Sequence, residues 1–181
     1  MDKTSVPVGL IADQQQFVPT VADWWWHEWG DSYVDLGVHN RDEAEAYLRK
    51  NFLHADRIPL CVVAWTTDDA KGQARVCGTV SLDVQDLAIR PHLGPWLVNT
   101  FVHPDFRGRS IMTLMLNDIT QRAKDFGTKE LYLWTPDPKV VSMYKRQGWK
   151  EVEVVEYQKE QITIMKLELA SWPPRKDAAK L

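Results

Sequence analysis

The sequence predicts an α/β fold of the α+β type: one domain with a mixed, mostly antiparallel central sheet and helices on both faces. Three observations lead there. Two pairs of strand-like runs are each joined by a turn-forming segment, "PLCVVAW" with "ARVCGTVSL" and "EVEVVEY" with "ITIMKLEL". Between the pairs, strands alternate with helical patterns, which places at least one parallel connection inside an otherwise antiparallel sheet. The 181 residues, 44% hydrophobic, are enough for one core without disulfides or a structural metal.

Each element has its own signal. "VPVGLIA" predicts a first strand, and Val18, Val21, Trp25 and Trp29 fall at helical spacing within a helix expected over Gln14–Trp29. A second helix is expected over Asp42–Phe52. The first strand pair turns through "TTDDAKGQ", and "PWLVNTFV" is a further strand stopped by Pro104. From Ser110 to Phe126, Ile111, Leu114, Met115, Ile119 and Ala123 share a helix face that Gly127 terminates. "ELYLW" is a strand, Lys139–Gln147 a short helix before Gly148, and the second strand pair closes the domain over residues 1–170. Residues 171–181, with "WPPRK", are expected to form a mobile polar tail.

Composition excludes several function classes. A formal charge of -3 rules out whole-chain attraction to nucleic acid or anionic lipid. No apolar run approaches the roughly 20 residues that span a bilayer, and the start "MDKTSVPVGL" lacks the regions of a secretory signal, so a cytoplasmic protein is expected. The final Ala-Lys-Leu resembles the peroxisomal address Ser-Lys-Leu, which leaves that compartment as the alternative. Cys61 and Cys77 lie in apolar strand patterns and form no Cys-x-x-Cys pair, so buried free thiols are expected. The five histidines are scattered and "HEWGD" lacks the second histidine of a zinc helix, so no metal is expected. Neither a nucleophile elbow nor a Walker loop is present.

The chemistry concentrates at "HPDFRGRSIMTLML", residues 103–116, where a strand ends in a basic loop that feeds a helix. Helix N-termini present unpaired N–H groups and partial positive charge, so they suit anions. Gly108 permits close backbone approach, and Arg107 and Arg109 add charge suited to phosphate oxygens. The junction reads as a pyrophosphate cradle.

With "TPDPKVVSMYKRQGW", which follows the next strand, this junction resembles the GNAT superfamily of N-acetyltransferases. The first segment resembles the family's acyl-CoA motif, with Ser110 and Met112 at its two small positions. The second resembles its Asn…Tyr…Gly-aromatic segment, with Asp137 at the asparagine position. The resemblance implies acetyl-CoA as co-substrate, with Thr100, Phe101 and Val102 offering backbone groups to the pantetheine arm. It implies that the backbone from Gly108 through Ser110, Ile111 and Met112 to Thr113 wraps the pyrophosphate, and that Tyr144 stands near the thioester sulfur. Met112 is expected either to lean over the cradle and narrow it, the preferred reading, or to turn its flexible thioether into the core, whereas Ser110 is a tolerable change that can cap the helix.

The implied reaction is direct attack of a primary amine on the thioester in a ternary complex. An N–H near Val102 serves the developing oxyanion and Tyr144 acts as general acid. Asp83 and Asp86, in "SLDVQDLAIRP", sit at the end of a strand expected to border the acceptor side; Asp86 is preferred as base or water-positioning group, and Glu130 is the second choice. Within "DWWWHEWGDSYVDLG", Trp26, Asp31 and Tyr33 are candidate acceptor contacts, with core packing as the competing role of the tryptophans. The acceptor is expected to be a small molecule or a peptide amine, bound by a monomer or homodimer. The opposing expectation is an acyl-CoA-binding sensor or scaffold with little turnover.

Overall fold

The computed structural model describes residues 6–67 and 73–172. Its elements are β1 (Val8–Leu10), α1 (Val18–Val34), α2 (Arg41–Asn51), β2 (Leu60–Thr67), β3 (Ala74–Asp83), β4 (Trp96–Val102), α3 (Ile111–Asp125), β5 (Glu130–Thr135), α4 (Pro138–Arg146), β6 (Lys150–Tyr157) and β7 (Glu160–Glu168). The strands form one seven-stranded sheet in the order β1-β2-β3-β4-β5-β7-β6. Every neighbouring pair is antiparallel except β4 and β5. The mixed sheet is therefore as expected, while the turn at 68–72 and the tail from 173 onward lie outside the described residues.

Strand alternation sorts the side chains between the two faces. Leu60, Val62 and Ala64 of β2 join Ile111, Met115, Ile119 and Ala123 of α3 and Val141 and Tyr144 of α4 in one core. Cys61 and Val63 face the other way and meet Val18, Val21 and Trp25 of α1 with Ala44 and Leu48 of α2. Helices thus cover both faces. A third cluster of Leu87, Trp96, Tyr132, Ile162 and Ile164 closes the sheet where the loop after β3 folds over it. Both cysteines are buried and free, and burial pushes each thiol up to about 11.

The boundaries differ from expectation in two places. The first helix begins only at Val18, after two short 3₁₀ turns, and runs on to Val34 across a break at Trp29 (φ -136°, ψ 18°). Its tryptophans obscure that break in the sequence, because an aromatic face continues on both sides of it. At the other end, Trp172 is 8% exposed and belongs to the core of α3 and α4, and Lys124 donates to its carbonyl at 3.0 Å. Packing therefore extends past residue 170, and only the part of the expected tail from 173 onward remains undescribed. Among the described residues, no helix is long and apolar enough to cross a membrane.

Candidate active site

β4 and β5 touch at one register position, Trp96 with Tyr132, where the Tyr132 N–H donates to the Pro95 carbonyl at 3.0 Å. Beyond it the strands part. A bulge pairs Phe101 with Thr79 and Val98 with Ser81, leaving Asn99 at φ 52°, a left-handed conformation that asparagine tolerates better than most residues. Among the described residues, the edge of β4 from Val98 to Val102 that faces β5 has no strand partner. That opening separates two chemically distinct walls.

One wall carries the residues expected to hold acetyl-CoA. Tyr144, buried from α4, donates from its hydroxyl to Thr100 Oγ1 at 3.2 Å and packs edge-on against Trp149. Burial pushes Tyr144 up to about 12, with the Thr100 bond opposing that rise. Arg107 Nε donates to the Val102 carbonyl at 3.0 Å, so this arginine braces the end of β4 as well as facing the loop. Arg109 lies exposed with its guanidinium 5.5 Å from the Phe106 ring centroid. Gly108 (φ 75°) has nothing within 4 Å of where a Cβ would stand, which leaves its backbone open to a ligand.

The loop bears on two expectations. Ser110 sits at φ 59°, as a glycine readily would, and its hydroxyl makes no cap hydrogen bond to α3. Met112 packs against the core of α3 and β2 rather than standing alone over the cradle. Ile111 is 2% exposed and anchors the helix start in that core, with Thr113 half-buried in the same turn. Asp137 caps α4, accepting from the Lys139 N–H at 2.7 Å, so its carboxylate has a structural task at the position where the family resemblance suggests asparagine.

The second wall is acidic and aromatic. Asp86 Oδ2 accepts from Trp134 Nε1 at 2.6 Å, and Trp134 meets Tyr157 edge-on at 5.7 Å. Tyr33 donates to Asn99 Oδ1 at 3.1 Å and packs edge-on with Tyr47. Burial raises both phenols above their ordinary range, and the charges of Asp83 and Asp86 raise them further. Asp86 keeps an open path to water while protein crowds its carboxyl from the other sides; that desolvation, with the nearby charge of Asp83, pushes it up to about 6 against the Trp134 bond.

The expected acceptor contacts therefore divide. Tyr33 and Asp86 come together in this recess, whereas Trp26 lies against Gly30 within α1, and Asp31 is exposed with no hydrogen bond or ion pair among the described residues. Glu130 is not placed as a base. It lies at the start of β5, where Tyr132 and Lys166 bind it and hold its pKa down, about 13 Å of strand from Trp134. Sequence reasoning missed Asn99, Tyr47 and Trp134. The polar Asn99 inside "WLVNTFV" was the available sign of a bulge, while nothing in the linear pattern pairs Trp134 with Asp86. A separate concavity of about 500 Å³, lined in part by Thr20, Trp24, Arg75 and His103, shares none of these residues.

The family model for the acetyltransferase (GNAT) family matches residues 18–149. The chain belongs to that family. An uncharacterized N-acetyltransferase of Methanocaldococcus jannaschii is 42% identical over 57 residues, 30% of this chain and 25% of that protein. The chain thus spans about a quarter of that curated relative. An aminoglycoside 6'-N-acetyltransferase solved with coenzyme A matches at TM-score 0.63 and 14% identity, over 94% of this chain and 99% of that one. A spermidine N-acetyltransferase chimera from Vibrio cholerae and hSSAT matches at TM-score 0.59 and 18% identity, over 92% and 97% of the two chains. At such identities the structural likeness establishes the GNAT fold.

Proposed function

We propose that this GNAT protein transfers an acetyl group from acetyl-CoA to the primary amine of a small cationic acceptor, by direct attack in a ternary complex. The observation that carries the reading is the opening between β4 and β5, with the Tyr144–Thr100 pair on one wall and Asp86 in an aromatic recess on the other. The named aminoglycoside and spermidine enzymes of the same fold support amine acceptors of this kind.

The residues of the first wall fit the cofactor. Gly108 leaves room at the loop, the start of α3 supplies N–H donors for the pyrophosphate, and Arg109 contributes charge. The open edge of β4, Thr100 to Val102, would offer its backbone groups to the pantetheine arm, and Thr113 and Asp137 would stand among the residues holding the cofactor. Bound acetyl-CoA supplies the activated thioester. The packing of Met112 against the core supports an open cradle over a binding module without turnover.

On the second wall, Asp83 and Asp86 attract the ammonium and the rings of Tyr33, Tyr47 and Trp134 receive its alkyl body. Asp86, ionised above about pH 6, accepts the proton that the amine must lose, directly or through a water. The amine nitrogen then bonds to the acetyl carbon, an N–H near Val102 stabilises the oxyanion, and as the carbon–sulfur bond breaks the nitrogen's second proton passes to the departing thiolate or to water. Tyr144, held protonated by burial, gives the leaving sulfur a hydrogen bond; complete transfer to a thiolate of pKa roughly 8.5 is uphill, so donation outweighs general-acid catalysis.

A thiol-release assay over a panel of mono-, di- and polyamines, beside calorimetry with CoA, tests the reading. Turnover that falls in Tyr144→Phe without loss of CoA affinity supports it. CoA binding with no turnover on any amine would make the protein a sensor or scaffold instead.

A further inference from the structure

We infer that Trp134 is the positioning residue of the acceptor wall: its indole N–H fixes Asp86 at the opening, and Tyr157 fixes the indole. The inference rests on the reading of Asp86 as proton acceptor. β3 ends at Asp83, so Asp86 stands three residues out on a loop with no ladder bonds of its own. The loop is held by Leu87, fully buried among Trp96, Tyr132, Ile162 and Ile164, by the Val84 N–H donated to the Asp83 carboxylate and by the Arg90–Glu153 ion pair to β6; at Asp86 itself the side-chain bond is the one from Trp134 to Oδ2 at 2.6 Å.

The donor comes from a rigid place. Trp134 is paired with Ile164 across the β5–β7 ladder, and the Tyr157 ring meets it at 76°. An indole N–H donates only, so it cannot reverse its role when Asp86 gains a proton; the bond favours the carboxylate. Binding Oδ2 also leaves Oδ1 without a hydrogen-bond partner among the described residues, available to the amine or a water.

The groups that face Asp86 give this bond a second task. Asp83 on β3 brings like charge, and Tyr33 of α1 and Tyr47 of α2 are neutral phenols whose pKa values the two aspartates raise. Trp134 is the group on this wall that favours the ionised form of Asp86 against burial and Asp83. A tryptophan at the end of β5 thus couples the position of the carboxylate to its readiness to accept a proton.

Trp134→Phe keeps a ring and removes the donor. Its Asp86 carboxyl titration, followed by carbon NMR on the free protein, should move to higher pH than in the parent. The acid limb of kcat/KM should move with it, with a loss of about tenfold at pH 6 that narrows to under about threefold at pH 8.5. An unmoved carboxyl midpoint overturns the inference. A midpoint that moves while the acid limb stays leaves Trp134 as the residue that holds Asp86 and removes Asp86 as proton acceptor. Should Trp134→Phe not fold, Tyr157→Leu decides: loosening the indole must shift the same midpoint upward, and no shift rejects the coupling.

Discussion

Gly78→Ala is the substitution whose outcome the geometry fixes most closely. Gly78 lies on β3 opposite Val102 of β4, and a Cβ there would stand 2.8 Å from the Phe101 carbonyl oxygen and 2.9 Å from Met115 Cε. The methionine tip can turn aside. The carbonyl cannot, because it belongs to β4, and ordinary contact requires that strand to retreat by roughly half an ångström. Overpacking of this kind costs about 1–3 kcal/mol. For a chain of this size a loss near the middle of that range lowers the melting temperature by about 4–8 °C. The displaced strand is also the one that carries Thr100 and Phe101, so CoA affinity should weaken along with stability. Calorimetric melting and CoA titration of the parent, Gly78→Ala and Gly78→Ala with Met115→Leu measure both. Because the obstruction is backbone, the second change should not restore the first. A melting temperature within about 1 °C of the parent, with CoA affinity unchanged, would refute the argument.

Three further outcomes follow from the site. Ser110→Gly removes a side chain from a left-handed position and should raise stability by about 0.5–1 kcal/mol without loss of CoA affinity, read by denaturant unfolding and titration. Met112→Ala should lower the melting temperature and leave CoA binding no tighter, since the thioether packs against the core; a clear gain in affinity would return Met112 to the cradle. Asp86 titrates higher in the folded protein than in the unfolded chain, so its contribution favours folding at low pH and is lost as the pH rises through about 6. Asp86→Asn should therefore melt higher than the parent at pH 8, and the gap should close as the pH falls towards 4; a gap independent of pH would contradict the shift.

The sequence was most informative where a single periodicity governs a segment. β2 and β3, the α3 face and the closing β6–β7 pair were legible because alternation or helical spacing alone determines which side is buried. The strand–loop–helix junction at residues 103–116 was legible for a related reason, since its residues are contiguous and one loop delivers them to one helix end. The acceptor wall was not. Tyr33, Tyr47, Asp86, Asn99 and Trp134 come from five separate segments, and the parting of β4 from β5 that faces them is a tertiary event. Met112 shows the same limit at the level of one side chain: its position in a motif was readable, but its direction depended on the core beneath it.

The single ladder position of Trp96 with Tyr132 divides the sheet into two wings, β1 to β4 on one side and β5, β7 and β6 on the other, bolted by backbone at one end and bridged at the other by side chains, Tyr144 to Thr100 and Trp134 to Asp86. Trp96, Tyr132, Leu87 and Ile164 form the bolt, and Leu97, Leu131 and Leu167 fasten it from the opposite face. Such a joint resists sliding, and its far ends open, like the jaws of a clothes-peg, only as those side-chain bonds yield. Amides near Asn99 and Trp134 should accordingly exchange with solvent faster than those at Trp96 and Tyr132. The width of the jaws then becomes a property of how well the bolt is packed, and substitutions at Leu87 or Trp96, remote from any reacting atom, would tune which acceptors the protein admits.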